Sequence, residues 1–133
     1  MAESIKVSAV LPASPQRIYK AWLNAKEHGA MTGGKATCDP VRGGKFTAWD
    51  GYIEGTTLEM MPDKGIVQSW RSSEFPEGSP DSRLEILLEP QAGGKTKLSL
   101  VHTHIPDGQG QSYKEGWKEH YFTPMKKHFS KAK

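Results

Sequence analysis

The sequence predicts an α+β fold: a curved antiparallel sheet of about seven strands, two short helices after the first strand, and a long C-terminal helix across the sheet. Three observations predict it. The chain opens on a period-two segment followed at once by a helix-start signal. Six further strand-like runs then succeed one another, separated by turn residues. The last segment changes period and repeats large aromatic residues at every fourth position.

The opening strand is SIKVSAVL. Ile5, Val7, Ala9 and Leu11 fall on one face, and Lys6, Ser8 and Val10 on the other, so one face is covered. ASPQRIYKAWL then starts a helix, with Ser14 as N-cap, Pro15 in the first helical position, and Ile18, Ala21 and Trp22 on its inner stripe. NAKEHGAMTGG reads as a second short helix that ends at Gly33-Gly34. The strand runs that follow are KATCD, GKFTAWD, YIEGTTLEMMP, GIVQSWRS, RLEILLEP and TKLSLVHTHI. Between the fourth and fifth, SEFPEGSPDS carries two prolines and a glycine among polar residues, and reads as an exposed loop. Tyr113, Trp117, Tyr121 and Met125, flanked by Phe122 and Phe129, make the closing amphipathic helix. Pro124 lies inside it and predicts a bend near His120. A bent helix on a curved sheet leaves space between them, so a pocket is expected there.

GGKT, at residues 93–96, has the second half of a phosphate-binding loop. The first glycine of such a loop would stand where Glu89 stands, and a strand rather than a helix follows. Gly93-Gly94 therefore reads as a hairpin turn. The other GGK triplets, at 33–35 and 43–45, precede strands, and their spacing fits no repeat.

The 133 residues suffice for a single domain spanning 1–133. A net charge of +3, with basic residues scattered until KKHFSKAK, does not predict nucleic-acid binding. The single cysteine, Cys38, allows no internal disulfide and points to a reducing compartment. No apolar run approaches a membrane span, and the N-terminus does not read as a signal peptide. The expectation is a cytoplasmic protein without cofactor.

ASPQRIYKAWL, GGKFTAWDGYIEGTTLEMMPDKGIVQSWR, LVHTHIP and GWKEHYFTPMKKHF together resemble the START-like (SRPBCC, helix-grip) superfamily, and within it the branch named for the activator of heat-shock-protein-90 ATPase homologues. The resemblance covers about residues 4–130. It implies a helix-grip fold on which ligand carriers, polyketide cyclases and co-chaperone domains are all built. It also implies a heat-shock chaperone as one partner, although the heat-shock activator has a further N-terminal domain and this chain begins directly at the first strand. The Trp70-Arg71 pair recurs in that branch.

The candidate ligand-binding residues are Trp70, His102, His104, Tyr113, Trp117 and Tyr121. Trp70 shares a strand face with Ile66 and Gln68, and Arg71 is expected on the opposite face beside a carboxylate. His102 and His104, two apart on one strand, are expected to share a face with Leu98 and Leu100 and to look into the pocket mouth. Two such histidines could hold zinc only with a third ligand from His28, Cys38 or Glu54, so no metal is expected. Asp81, Ser82 and His102 lack a nucleophile-elbow pattern, so no catalytic residues are assigned. Gly55 and Ala48 are candidate positions at which a larger side chain would fill the pocket. The expected function is non-catalytic binding of an unidentified hydrophobic or amphipathic small molecule. The alternatives are a co-chaperone-like interaction domain and a cyclase- or hydrolase-like enzyme.

Overall fold

The computed structural model describes residues 3–131. Its elements in order are β1 (Glu3–Leu11), α1 (Pro15–Leu23), α2 (Ala25–Thr32), β2 (Thr37–Cys38), β3 (Lys45–Ala48), β4 (Ile53–Met61), β5 (Gly65–Ser72), β6 (Ser82–Gln91), β7 (Lys95–Ile105), α3 (Gly110–Trp117) and α4 (Thr123–Lys131). A π-helical turn, Lys118–Phe122, joins α3 to α4. The seven strands form one antiparallel sheet in the order β1-β7-β6-β5-β4-β3-β2. The expected α+β architecture is present. Its smallest element is β2, where KATCD contributes only Thr37 and Cys38.

The local signals act as the chemistry of their residues dictates. Ser14 accepts from the Arg17 amide at 3.2 Å, and Pro15 opens α1. Asn24 caps α2 by accepting from the Glu27 amide at 2.9 Å, and Gly33, at φ 93°, ends it. In the β6–β7 hairpin Gly93 and Gly94 take φ 78° and 74°, values that a Cβ disfavours, so GGKT is a turn with Lys95 exposed.

Ile18, Ala21 and Trp22 of α1, and Trp117, Tyr121, Phe122, Met125 and Phe129 of the C-terminal segment, pack with the inward residues of the sheet. Among these are Val7, Leu11, Ile66, Leu84, Ile86, Leu98 and Leu100. The helices are also tied to each other. Glu27 of α2 pairs with Arg17 of α1 and with His128 Nε2 of α4 at 2.9 Å, and Arg17 lies over the Phe129 ring. Arg17 chiefly, and then His128, hold the Glu27 carboxyl below its ordinary range against the effect of burial.

Two expectations about faces need correction. β7 carries a bulge at its end: Ile5 pairs His102 and Glu3 pairs Ile105, so β7 has one residue too many. His104 takes φ 61° there and is exposed, while Ile105 turns inward and is fully buried. His102 and His104 therefore do not share a face. Gly55 and Ala48 do not line a pocket either. A Cβ on Gly55 would lie 1.9 Å from the Ser69 carbonyl oxygen, and Ala48 is buried in the core.

Candidate functional site

A gap is left between α3 and the π turn on one side and the β3–β4 corner, β5 and the loop after it on the other. A cavity of about 610 Å³ opens in the gap. The rings of Trp49, Tyr52, Trp70, Tyr113, Trp117 and Tyr121 wall it, and Glu74, Gln109, Glu115, Glu119 and His120 stand among them. The wall is cohesive: Trp70 meets Tyr113 at 5.0 Å and Trp117 at 5.7 Å between ring centroids, and Trp117 meets Tyr121 at 4.7 Å.

Four of the six residues singled out in the sequence, Trp70, Tyr113, Trp117 and Tyr121, line this cavity. His102 lies behind the wall and has no exposed surface. The Trp117 indole N–H donates to His102 Nδ1 at 3.2 Å. Nδ1 must then be the bare nitrogen, which leaves the proton on Nε2, 2.8 Å from Ser82 Oγ. The Ser82 hydroxyl in turn donates to the Trp70 carbonyl at 2.7 Å. The chain of donors runs from one wall tryptophan to the backbone of another through a neutral histidine. Burial pushes that imidazole down to about 3. Ser82 and His102 do meet, but the Ser82 proton points away from the histidine, and Asp81 pairs with Arg71 at 3.3 Å. No activated nucleophile results.

Tyr121 is held in the same manner. His28 Nδ1 donates to the Trp22 carbonyl at 3.0 Å, so Nε2 accepts from the Tyr121 hydroxyl at 2.8 Å. Burial lowers the His28 imidazole and raises the Tyr121 phenol. The Tyr113 hydroxyl donates to Gln109 Oε1 at 2.7 Å and accepts from Ser72 Oγ at 2.6 Å. The Tyr52 hydroxyl donates to Glu74; burial first, then this bond, pushes the phenol up to about 12. Four of the six wall rings, Tyr52, Tyr113, Trp117 and Tyr121, thus have their polar tips fixed by partners, which preorganises the cavity wall.

Two backbone irregularities border the same space. Trp49, Asp50 and Gly51 take φ 51°, 59° and 92° in succession between β3 and β4. A left-handed tryptophan is strained by roughly 1–3 kcal/mol. It is held because its ring packs where a Cβ on Gly34 would approach to 2.6 Å, and because Asp50 exchanges hydrogen bonds with the Lys35 backbone. Across the cavity mouth, Trp49 meets the His120 ring edge-on at 5.5 Å, and His120 belongs to the π turn. Strained backbone and π turns recur at functional sites.

Arg71 organises the loop beside the cavity. It donates to the carbonyls of Ser79 at 2.6 Å and Pro76 at 3.0 Å, and lies over Phe75, which packs on Trp70. As expected, it has a carboxylate partner.

The sequence reading missed Trp49, Tyr52, Glu74, Glu115, Glu119 and His120 as cavity residues. A signal for two of them was present, since Glu115 and Glu119 stand four apart in GQSYKEGWKEHY beside the aromatic stripe. Among the described residues no three His, Cys, Asp or Glu side chains gather so as to hold a metal, and no helix is long and apolar enough to cross a membrane.

Sheet, long helix and intervening cavity define the START-like helix-grip class. Within it, the chain belongs to the family described as Activator of Hsp90 ATPase homolog 1-like protein, whose model matches residues 12–130. It is 30% identical over 116 residues to the human activator of 90 kDa heat shock protein ATPase homolog 1, covering 87% of this chain and 34% of that one. It is 28% identical over 128 residues to the Dictyostelium discoideum homologue, covering 96% and 33%. The chain thus spans about a third of the length of these relatives. In fold it is similar to an HSP90 activator from Plasmodium falciparum, with a TM-score of 0.86, 23% identity and 96% of each chain covered. It is also similar to CalU16 from Micromonospora echinospora, with a TM-score of 0.76, 21% identity and 98% and 83% covered.

Proposed function

We propose that this protein is a binding module whose cavity takes up a small organic molecule with a substantial apolar body. The observation that supports this is the 610 Å³ space walled by six aromatic rings. A packed helix–sheet interface has no need of such a space, and cavities of roughly 300–1,000 Å³ with apolar walls and a few polar groups are the usual form of ligand sites. A buried bicyclic aromatic group gains about 25 cal/mol per Å² of apolar surface, offset by the cost of association, so micromolar to sub-millimolar affinity is reachable. The test is calorimetric titration with a neutral probe, naphthylbutanol. Saturable binding that is lost when Gly116→Leu projects a side chain into the cavity is the expected result. Binding unaffected by that change, or no binding, contradicts the proposal.

A second reading rests on the family. Its relatives named above are activators of a heat-shock ATPase, so a co-chaperone-like contact with the Hsp90 of the host is the alternative. A change in the ATPase rate of that chaperone on adding the purified chain is the outcome this reading expects. An unchanged rate at saturating chain counts against it.

A further inference from the structure

The charges of the cavity are one-sided. Its lining includes three carboxylates, Glu74, Glu115 and Glu119, and neither lysine nor arginine. The chain as a whole carries 18 Lys and Arg against 15 Asp and Glu. On the helix segment that forms one wall, the charges are sorted: Glu115 and Glu119 line the cavity, while Lys114 and Lys118, each one residue earlier, do not. Two glutamates four apart repel each other on a helix; Lys118 stands three residues after Glu115 but outside the lining, and Glu119 has neither lysine nor arginine three or four residues away. Glu115 accepts from Gln111 at 3.0 Å and Glu74 from Tyr52, whereas Glu119 has no hydrogen-bond or ion-pair partner among the described residues. Carboxylates set among aromatic faces are the chemistry that recognises organic cations. The π-electron faces and the negative charges attract the same head group, and the rings supply the surface for its apolar body.

From this we infer that the cavity selects organic cations: molecules with an apolar body and a protonated amine or quaternary ammonium head. The inference rests on the cavity-binding function proposed above and adds the charge class of the ligand. The head lies at the Glu115–Glu119 side of the mouth, and the body lies against Trp70, Tyr113 and Trp117. A carboxylic acid of the same shape is rejected, because its charge would meet three like charges with neither lysine nor arginine in the lining to compensate.

The test is titration of the full chain with three probes of one shape: naphthylbutylamine, naphthylbutanol and naphthylbutyrate. The amine is expected to bind about tenfold or more tightly than the alcohol, and the butyrate more weakly than either. Replacing the two helix carboxylates, Glu115→Gln with Glu119→Gln, should bring the amine to within about threefold of the alcohol and leave the alcohol unchanged. Added salt should weaken only the amine. If the alcohol equals the amine, or the butyrate binds best, cation selection is overturned while cavity binding stands. If none of the three binds, both fall. If the amine keeps its advantage in the double variant, the glutamates are not its basis and the inference is overturned.

Discussion

His102 carries the clearest consequence at the scale of single residues. It is neutral because burial opposes its charge, and because the Trp117 indole N–H occupies the nitrogen a second proton would need. Its folded pKa, about 3, lies below the ordinary histidine value of 6.5. Between those two values the unfolded chain binds the proton and the folded chain does not. Stability therefore rises with pH through that window and is lost as pH falls below 6.5. The slope approaches about 1.4 kcal/mol per pH unit for one such group. His28, shifted in the same direction, adds to it. Thermal melts from pH 7 to 5 should show a steady fall in Tm. His102→Gln, which can still accept from Trp117 and donate to Ser82, should make that fall shallower. A Tm independent of pH over this range would show that neither histidine is held neutral. At Lys95 the expected outcome is the opposite: Lys95→Ala should leave Tm unchanged and create no difference in ATP binding, because GGKT is an exposed turn. ATP affinity that Lys95→Ala abolishes would contradict the turn assignment.

At the scale of elements, the C-terminal segment shows what a sequence reveals and what it hides. The aromatic repeat was legible, and so was the disturbance at Pro124, but its form was not. From Tyr113 to Phe129 the stripe runs sixteen residues in four repeats, whereas four turns of ideal helix take about 14.4. The surplus is absorbed by the π turn at Lys118–Phe122, where the Thr123 amide reaches back to the Lys118 carbonyl. This places the widened turn directly before Pro124, where the proline ring would otherwise meet the carbonyl of His120. A period of four rather than 3.6 was the available sign. The bulge that turns His104 outward had no such sign, because THTHI alternates as an unbulged strand does. Gly116 offers the test of this element. A Cβ there would meet only the His120 side chain, at 4.0 Å. Gly116→Ala should therefore stabilise the helix by about 0.5–1 kcal/mol. A lower Tm for that variant would mean that the helix backbone at the cavity is not regular.

At the scale of the whole molecule, sheet and long helix depend on each other. Trp117, Tyr121, Phe122, Met125 and Phe129 are all buried between them, and each stabilises by roughly 1.5–3 kcal/mol. Together they match the ~5–15 kcal/mol that holds a whole domain folded. A chain ending at residue 108 should be unfolded or aggregated by circular dichroism and light scattering; cooperative melting of that fragment would refute the helix-on-sheet account. The fold was legible because strand period, caps and turns are local. The cavity was legible where an aromatic stripe marked it and at Trp70, which strand alternation set on the face of Ile66 and Gln68. Trp49 and Glu74 come to it from the β3–β4 corner and the loop after β5, and contacts so distant in sequence leave no periodic trace.

The central claim is that the aromatic space is a preformed ligand site, and the four indole N–H resonances test it most directly. On titration with naphthylbutylamine, the signals of Trp49, Trp70 and Trp117, which line the cavity, should shift together and saturate. The signal of Trp22, bonded to Gln68 behind the wall, should move least. The same titration of Gly116→Leu should leave all four in place. Unshifted indoles in the unaltered chain, or shifts that persist undiminished in Gly116→Leu, would contradict the account.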